Sequence, residues 1–362
     1  MTSAATRHSA DPARAPAIPA AASSTPRPGR RVIPLLEGAV FLGFALAPAL
    51  LADYLTVFAG RLLILALLAI SFDLVFGYAG IMSFGQALFF GAAGYAVALL
   101  SRDLGVSSVL IVVPVSLAVG LALAWMVAVF LLLGRRPPSV IFVALGTLAA
   151  SFAAEELARS WYYLGGQNGI PSIPVLGIGG YQFGDLAFYY LTFAIFVVVY
   201  AGCRALVRSQ FGLALAGIRE QEQRIGFFGY RVEACKTVIF SVAGAIAGLA
   251  GGLYAFHEGF VWPSMLGVVL STQIVLYCLF GGIGTLIGAT LGVIGIESLG
   301  YALSEQFPKT WPVLLGLLLL LVILFRPGGV ISLFVGERER VGDFGLRRPA
   351  RDGRRRSWGG AA

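Results

Sequence analysis

Acidic side chains within long apolar runs are the residues whose types and positions point most directly to chemistry. Five carboxylates fall in or near such runs: Glu37, Asp73, Glu155, Glu156 and Glu297. A carboxylate in the middle of a bilayer costs about 2.5–3.5 kcal/mol on insertion scales, so each should face a partner or a polar cavity. We expect Glu155 and Glu156 to lie near the outer interface beside Arg159. Asp73 should either pair locally at a helix end or line a polar path.

The glycine-broken stretch after Asp73 offers further polar groups. Ser83, Gly85 and Gln86 follow two other glycines in an otherwise apolar context. Interrupted helices expose backbone carbonyl and amide groups that can line a polar path across a membrane. Asp73, Ser83, Gly85 and Gln86 are therefore the candidate translocation path, and simple helix packing is the alternative interpretation.

Motifs that would make the chain an enzyme are missing. The sequence has no G-x-x-x-x-G-K-[ST] segment, so we expect no ATP-binding site in this chain. His257-Glu258 lacks the second histidine of a zinc protease motif. The three cysteines show neither zinc nor disulfide spacing; they are Cys203, Cys235 and Cys278. We expect no catalytic residue, no metal and no cofactor in this chain.

The elements that must position these residues are membrane-spanning helices. Of the 362 residues, 58% are hydrophobic and only 12% are charged, whereas about 25% of an average soluble domain is charged. A span needs about 20 apolar residues, because the hydrocarbon core is about 30 Å thick and a helix rises about 1.5 Å per residue. Ten such runs are present, at 32–52, 57–77, 80–100, 106–133, 138–158, 186–203, 237–256, 265–281, 284–303 and 311–326. We predict an all-α, polytopic integral membrane protein with about ten transmembrane helices (eight to ten), the third being a candidate broken helix.

Basic residues predict the orientation of these spans. Nearly all of the 26 lysines and arginines lie in the N-terminal tail, in the loops after spans four and six, at the end of the last span or in the C-terminal tail. The exceptions are Arg61, Arg102, Arg159 and Lys309. An even number of spans places those segments on one face, so the positive-inside rule predicts that both termini are cytoplasmic. The net charge of +8 then reflects topology, and nucleic acid is not an expected partner.

Three regions follow from this pattern. Residues 1–31 are predicted to be a disordered cytoplasmic tail, and residues 32–335 a transmembrane domain. Residues 336–362 are predicted to be a basic cytoplasmic tail that contacts anionic membrane lipid. Within the domain, the inner loop 204–236 should carry a short helix outside the bilayer, where Glu220 and Arg224 are spaced i,i+4.

Glycines recur at every fourth position in two of the predicted spans. The two rows are Gly244, Gly248, Gly252 and Gly284, Gly288, Gly292. Such rows let helix backbones approach closely in lipid, so we interpret them as helix-packing faces, with sliding between conformations as the alternative. The pattern F-G-x-x-G occurs at 76–80 and again at 280–284, which reflects either an internal repeat or chance.

Three stretches, in this order, resemble one family of membrane proteins. They are residues 72–87, the outer residues 165–169 and the inner residues 214–230, the last followed by Lys236 and a glycine-rich span. Together they resemble the LivM-type permease of branched-chain amino acid ABC importers over residues 33–335. The resemblance implies a multi-pass subunit of the bacterial inner membrane. Its implied partners are a second, LivH-like permease, two cytoplasmic ATPase subunits that bind ATP and Mg, and an extracytoplasmic substrate-binding protein.

The resemblance also implies roles for particular residues. It implies that one set of residues forms the loop that couples the permease to an ATPase: Ala216, Gly217, Arg219, Glu220 and Arg224. Many members of the family have histidine where this chain has Gln86, and glutamine does not titrate near neutral pH. A protonation role at this position is therefore not expected.

Three functions remain to be distinguished. The resemblance implies a permease subunit that forms the path for branched-chain amino acids in an ATP-driven importer, and relatives also carry urea and short amides. A stand-alone ion-coupled secondary transporter would use Asp73 or Glu297. An integral-membrane enzyme is the third class, but no residues of the sequence assemble a site for it.

Overall fold

Ten α-helices are present in the described residues of a computed structural model of the chain. The structure describes residues 32–132, 139–306 and 329–333, with five single positions between 310 and 320. The predicted tails, 1–31 and 336–362, lie outside the described residues. The helices are α1 (Val32–Leu50), α2 (Asp53–Asp73), α3 (Gln86–Leu104), α4 (Val109–Leu132), α5 (Val140–Ser160), α6 (Asp185–Arg208), α7 (Gln210–Phe227), α8 (Val232–Glu258), α9 (Val268–Gly281) and α10 (Leu286–Gln306).

Eight helices of the described residues are long and apolar enough to cross a membrane. This confirms the prediction of an all-α polytopic membrane protein. The predicted eighth span, 265–281, is shorter at its start, because Pro263–Leu266 form a separate 3₁₀ turn and Gly267 is extended. The remaining α9 has only 14 residues. Most of the predicted tenth span, 311–326, lies outside the described residues.

The third predicted span begins later than predicted, after a non-helical stretch, and α3 itself is a continuous helix and not a broken one. α2 continues into a π-helical turn, Leu74–Tyr78, and α3 begins only at Gln86. Residues 79–85 between them are not helical and are called the first break below. A second break, residues 282–285, separates α9 from α10. The predicted start of the third span at residue 80 is therefore corrected to 86.

The predicted inner loop 204–236 is almost entirely helical. α6 continues through Arg208, α7 follows after a single residue, and α8 begins at Val232. Ser209 begins α7, since its Oγ accepts a hydrogen bond of 3.4 Å from the N–H of Gly212. Charged helix-forming residues extend these helices beyond their apolar portions, which the hydropathy pattern alone does not detect. Gln221 has non-helical backbone angles and kinks α7.

The most buried spanning helices are α2 and α8. α8 packs on α2, α3 and α4. Its contact with α4 is close because small residues face each other at every fourth position, namely Gly244, Gly248 and Gly252 on α8 and Ser116, Gly120 and Ala124 on α4. A Cβ atom on Gly248 would lie 2.6 Å from the carbonyl oxygen of Ser116 and 2.7 Å from the Cα of Gly120. Such close approach is how helices associate in lipid, where apolar burial between helices contributes little.

We expect Gly248→Ala to destabilise the folded protein by about 2–3 kcal/mol, because the added methyl group meets backbone atoms that cannot rotate away. The matched control is Gly202→Ala in α6, where a Cβ would have nothing within 4 Å. Thermal unfolding of each purified variant in detergent measures the loss of stability. Equal unfolding temperatures for the two variants would show that α4 and α8 separate more easily than this packing implies.

The two ends of the helix bundle carry different elements. Near the start of α1, Glu37 accepts a hydrogen bond of 2.8 Å from Tyr200 and pairs with Arg204, both near the end of α6. α1 therefore begins at the end where α7 lies, called the α7 end below. The opposite end carries residues 161–184 and is called the loop end.

The loop end is organised by backbone pairing. Ile170 and Val261 exchange two backbone hydrogen bonds of 2.9 and 3.0 Å, which hold the 161–184 segment over the connection between α8 and α9. In the same segment, strands β1 (Gly177–Ile178) and β2 (Tyr181–Gln182) pair antiparallel. Tyr163 donates a hydrogen bond to Asp103, which raises the pKa of the Tyr163 phenol above its ordinary value.

The two adjacent carboxylates at the end of α5 pair locally. The Oε1 of Glu155 lies 2.5 Å from a guanidinium nitrogen of Arg159, and the Oε1 of Glu156 lies 3.9 Å from another. The loop that follows α5 lies at the loop end. The expectation that both would lie beside Arg159 is confirmed.

Candidate functional site

The two breaks meet inside the helix bundle. Asp73, the last residue of α2, is fully buried, and its Oδ1 accepts a hydrogen bond of 2.7 Å from the backbone N–H of Gly284. Gly284 lies in the second break with a φ of 78°. The two F-G-x-x-G segments are therefore neighbours in space. The prediction that Gly284 packs within a helix is wrong, because α10 begins two residues later and the N–H of Gly284 binds Asp73.

The other two glycines of that row do lie at a helix contact. A Cβ atom on Gly288 would lie 2.6 Å from the carbonyl oxygen of Gly282, and one on Gly292 would lie 3.0 Å from the backbone nitrogen of Gly281. α9 and α10 thus approach each other at backbone distance. This places the second break at the tip of a tightly packed helical hairpin.

α7 contacts the first break. The Nη1 of Arg219 donates a hydrogen bond to the carbonyl oxygen of Gly77, in the π-helical turn. Gly80 has a φ of 71°, and a Cβ there would lie 3.0 Å from the Cγ of Arg219. A charged side chain of α7 thus binds the point at which the second spanning helix ends. π-helical turns occur frequently at functional sites.

Hydroxyl groups from neighbouring helices form hydrogen bonds with the backbone at the end of the first break. The N–H of Phe84 donates a hydrogen bond to Thr147 Oγ1 at 3.0 Å. The carbonyl oxygen of Phe84 accepts one from Ser271 Oγ at 2.5 Å. The N–H of Gly85 donates to Ser83 Oγ at 3.1 Å. Non-helical backbone at membrane depth is tolerated only where such partners replace the lost helical bonds. The predicted path residues Ser83 and Gly85 are thus brought together with α5 and α9.

Two buried polar atoms beside the breaks have no hydrogen-bond partner among the described residues. They are Asp73 Oδ2 and Gln86 Nε2. Gln86 accepts a hydrogen bond of 3.3 Å from Ser71, two residues before Asp73 on α2. An unsatisfied buried polar group costs about 1–3 kcal/mol. The structure thus places Gln86, at the start of α3, against Ser71 of α2, two residues before Asp73. The role of Asp73 and Gln86 in translocation stays a prediction.

The predicted coupling residues all lie on α7 but differ in exposure. Ala216 and Gly217 are half-buried, while Arg219, Glu220 and Arg224 are exposed. A Cβ atom on Gly217 would lie 2.6 Å from the Cδ1 of Ile225, across the kink at Gln221. Gly217 therefore allows the two halves of α7 to fold against each other.

An open groove of about 690 Å³ lies at this kink, between the second half of α7 and the start of α8. Glu222, Arg224 and Glu233 contribute charges to its lining, and Phe227, 91% exposed, contributes an aromatic ring. Lys236 binds Glu222 at 2.7 Å and joins the two helices there. Exposed aromatic rings rimmed by charges are typical of protein–protein contact surfaces.

A cavity of about 150 Å³ at the loop-end side of the core was missed by the sequence analysis. Arg61, Gln273 and Tyr277 line it, and Glu297 binds both Gln273 and Tyr277. The only sequence signals were that Arg61 lies away from the basic, inward-facing segments and that Glu297 lies within an apolar run. Neither signal indicates that these residues come together.

Eight spanning helices, two non-helical breaks between helices that meet in the core, and a helix outside the spans that contacts one break define a multi-pass membrane transport protein. Residues 54–323 match the family described as branched-chain amino acid transport system / permease component. The chain belongs to this family of permease components of ABC transporters, and it is a multi-pass inner-membrane protein.

Individual relatives agree with this membership. The chain is 24% identical to the probable branched-chain amino acid transport permease protein LivM of Methanocaldococcus jannaschii, over 73% of this chain and 89% of that protein. It is 24% identical to the high-affinity branched-chain amino acid transport system permease protein LivM of Escherichia coli, over 75% of this chain and 68% of that protein. A shorter similarity, 29% over 36% of this chain and 41% of the relative, joins it to the autoinducer 2 import permease LsrC of Photorhabdus laumondii. No solved structure matches the chain.

Proposed function

We propose that this chain is the LivM-type permease subunit of an ATP-driven importer of branched-chain amino acids. Permease components of ABC importers work with ATPase subunits and binding proteins. The proposed assembly adds a LivH-like second permease, two cytoplasmic ATPases that hold ATP and Mg, and an extracytoplasmic binding protein. The names of the two LivM relatives support the cargo.

The observation that carries this proposal is the contact between α7 and the first break. Arg219 binds Gly77, and Asp73, four residues before Gly77, binds Gly284. A force applied to α7 therefore acts directly on the junction of the two breaks. A coupling device needs such a link, because a partner outside the membrane can shift the path only through contacts that differ between two states.

The groove at the kink of α7 supports docking of an ATPase. Phe227 and Phe228 are 91% and 72% exposed in the unpartnered chain, and charged residues surround the groove. In the proposed assembly, this surface receives the ATPase, while Arg219 transmits its movement to the core. The proposal therefore places α7, and the start of α1 at the same end of the bundle, on the cytoplasmic side.

Uptake of labelled leucine into proteoliposomes tests the proposal. We expect accumulation only when this chain is reconstituted with its partner permease, the ATPases, the binding protein and ATP. An ATPase variant that cannot hydrolyse ATP serves as the control. Accumulation of leucine by this chain alone, driven by a proton gradient, would contradict the proposal.

An ion-coupled transporter that uses Asp73 is the second candidate, favoured by the buried and unpartnered Asp73 Oδ2. Asp73→Asn tests it, because asparagine retains an oxygen that can accept the hydrogen bond from Gly284 but cannot carry a proton. We expect ATP-driven uptake by this variant to stay within about twofold of wild type, because the hydrogen bond from Gly284 still has an acceptor. Asp73→Leu, which removes the acceptor, is the contrasting variant. Loss of uptake in both, with assembly intact, would favour obligatory protonation.

The cargo has a defined set of alternatives. Urea and short amides are carried by relatives of the family, and the LsrC relative is named for autoinducer 2 import. Competition of each compound against leucine uptake in the reconstituted importer discriminates among them. We expect only branched-chain amino acids to compete at equal concentration.

A further inference from the structure

We infer that the cavity at the loop-end side of the core binds an aliphatic α-amino acid in transit, with its carboxylate on Arg61. The inference rests on the proposed import function for its direction, but the binding site itself is argued from the cavity. Its volume is about 150 Å³, and helices α2, α3, α8 and α9 all contribute to its wall. None of its residues belongs to the candidate path predicted from the sequence.

Arg61 supplies a cationic wall with unused hydrogen-bonding capacity. Its guanidinium carbon lies 5.9 Å from the ring centre of Tyr254, and its Nε lies 3.8 Å from Glu258 Oε1, beyond hydrogen-bonding distance. Both Arg61 Nε and Glu258 Oε1 are buried without a hydrogen-bond partner among the described residues. Glu258 thus balances the charge without occupying the donors. A guanidinium with free donors binds a carboxylate through two parallel hydrogen bonds.

A second polar wall lies on α9 and has a negative charge behind it. Gln273 and Tyr277 line the cavity, and Gln273 Nε2 donates to Tyr277 at 2.6 Å and to Glu297 at 2.9 Å. The Tyr277 hydroxyl also donates to Glu297. The proton of the Tyr277 hydroxyl is committed to Glu297, and one lone pair of its oxygen accepts from Gln273. One lone pair of that oxygen therefore remains for an ammonium group. The two walls therefore match the two charges of a zwitterion.

The remaining wall is apolar. Leu65, Phe90, Met265 and Leu270 line it and come from four different parts of the chain. A cavity of about 150 Å³ lined by such side chains holds a molecule the size of benzene. A branched aliphatic side chain of three or four carbons is smaller, which leaves room for the head group at Arg61.

The location of the cavity suits a stopping point on an inward path. Trp262 and Ser264, which also line it, follow Val261, whose backbone pairs with Ile170 of the loop-end segment. Leu65 lies six residues before Ser71 on α2, about 9 Å along the helix. Ser71 binds Gln86 beside the first break. Cargo that enters at the loop end would reach the cavity before it reaches Gln86 and Asp73.

Direct binding to the purified full-length chain in lipid nanodiscs tests the inference. Wild type should bind labelled L-leucine, and leucinamide, which lacks the carboxylate, should compete poorly. Arg61→Gln should weaken leucine binding by roughly 10- to 100-fold, as expected for loss of a charged hydrogen-bonded pair, and should leave the weak binding of leucinamide unchanged. Arg208→Gln, at the exposed end of α6, is the matched control and should bind leucine as wild type does.

A second variant tests the inference even if Arg61→Gln does not fold. Val269 lines the cavity yet is 76% exposed, so Val269→Trp should narrow the cavity without disturbing the core. We expect it to reduce leucine binding by about tenfold or more, as for a ligand that loses its apolar contacts. Unchanged leucine binding in this variant would overturn the inference, as would equal weakening of leucine and leucinamide by Arg61→Gln.

The outcomes separate this inference from the proposed function. If the complete importer transports leucine but the chain alone binds none, the inference is wrong and the proposed function stands. If the chain binds leucine through Arg61 but the complete importer does not transport it with ATP, the proposed function is wrong and the binding site stands. Binding of leucine and urea with equal affinity would contradict recognition of a zwitterion.

Discussion

Replacement of Gly77 by alanine is expected to lower ATP-driven uptake by roughly 100-fold. A Cβ atom at this position would collide with Asp73 Oδ1 and lie 2.7 Å from the backbone nitrogen of Gly284. Those two atoms form the hydrogen bond that joins the two breaks. Overpacking of this kind costs about 1–3 kcal/mol, and 3 kcal/mol corresponds to roughly a 100-fold change in population.

The measurement is leucine uptake by the reconstituted importer, normalised to the amount of assembled complex. Gly43→Ala in α1 is the control, since a Cβ there would have nothing within 4 Å. Gly77→Ala should assemble but fail to transport, because Gly77 is buried and does not line the groove at the kink of α7. Uptake equal to that of Gly43→Ala would show that the junction of the breaks is not part of the transport path.

Arg219→Ala is expected to separate ATP hydrolysis from uptake. The variant loses the hydrogen bond from Arg219 to the carbonyl oxygen of Gly77, whereas the groove around Arg224 and Phe227 keeps its lining. ATPases should therefore still dock and hydrolyse ATP, while uptake falls by about tenfold, as for loss of one charged hydrogen bond. Arg219→Lys should recover part of the uptake, because lysine can reach the same oxygen with one donor.

Parallel assays of ATP hydrolysis and leucine uptake in the same vesicles test this prediction. Arg231→Ala, at the exposed start of α8, is the matched control and should behave as wild type. The sequence analysis expected Arg219 to contact the ATPase, whereas the structure directs its guanidinium to the transmembrane core. If Arg219→Ala lost ATPase association and uptake in equal proportion, the docking role would be the correct one.

The helices of this protein could be predicted from the sequence far better than their contacts. Hydropathy located eight spanning helices because each crossing demands about 20 apolar residues. It was less accurate at α9, where a 3₁₀ turn that ends at Leu266 and the extended Gly267 shorten the helix to Val268–Gly281. It also ended α6 early and began α8 late, because the charged ends of both helices, Arg208 and Glu233 among them, carry no hydropathy signal.

The candidate site was predicted only in part. Asp73, Gln86 and Arg219 were selected from the sequence, and the structure places all three beside the first break. Gly284 was assigned to helix packing, but it lies in the second break and binds Asp73. The cavity at Arg61 was not predicted, since its lining comes from several helices that no spacing along the chain connects.

The sequence by itself determined the class of protein. A chain this apolar must be buried in lipid, where only helices and closed barrels satisfy their own backbone groups. Its apolar runs of about 20 residues have the length of spanning helices and not of spanning strands, which makes the fold all-α. The tertiary structure alone decided which polar groups meet. Asp73 and Gly284 are 211 positions apart, and Arg219 and Gly77 are 142 apart. Such contacts depend on which helix backbones approach closely, and in lipid that is set by small residues packed face to face, not by hydropathy.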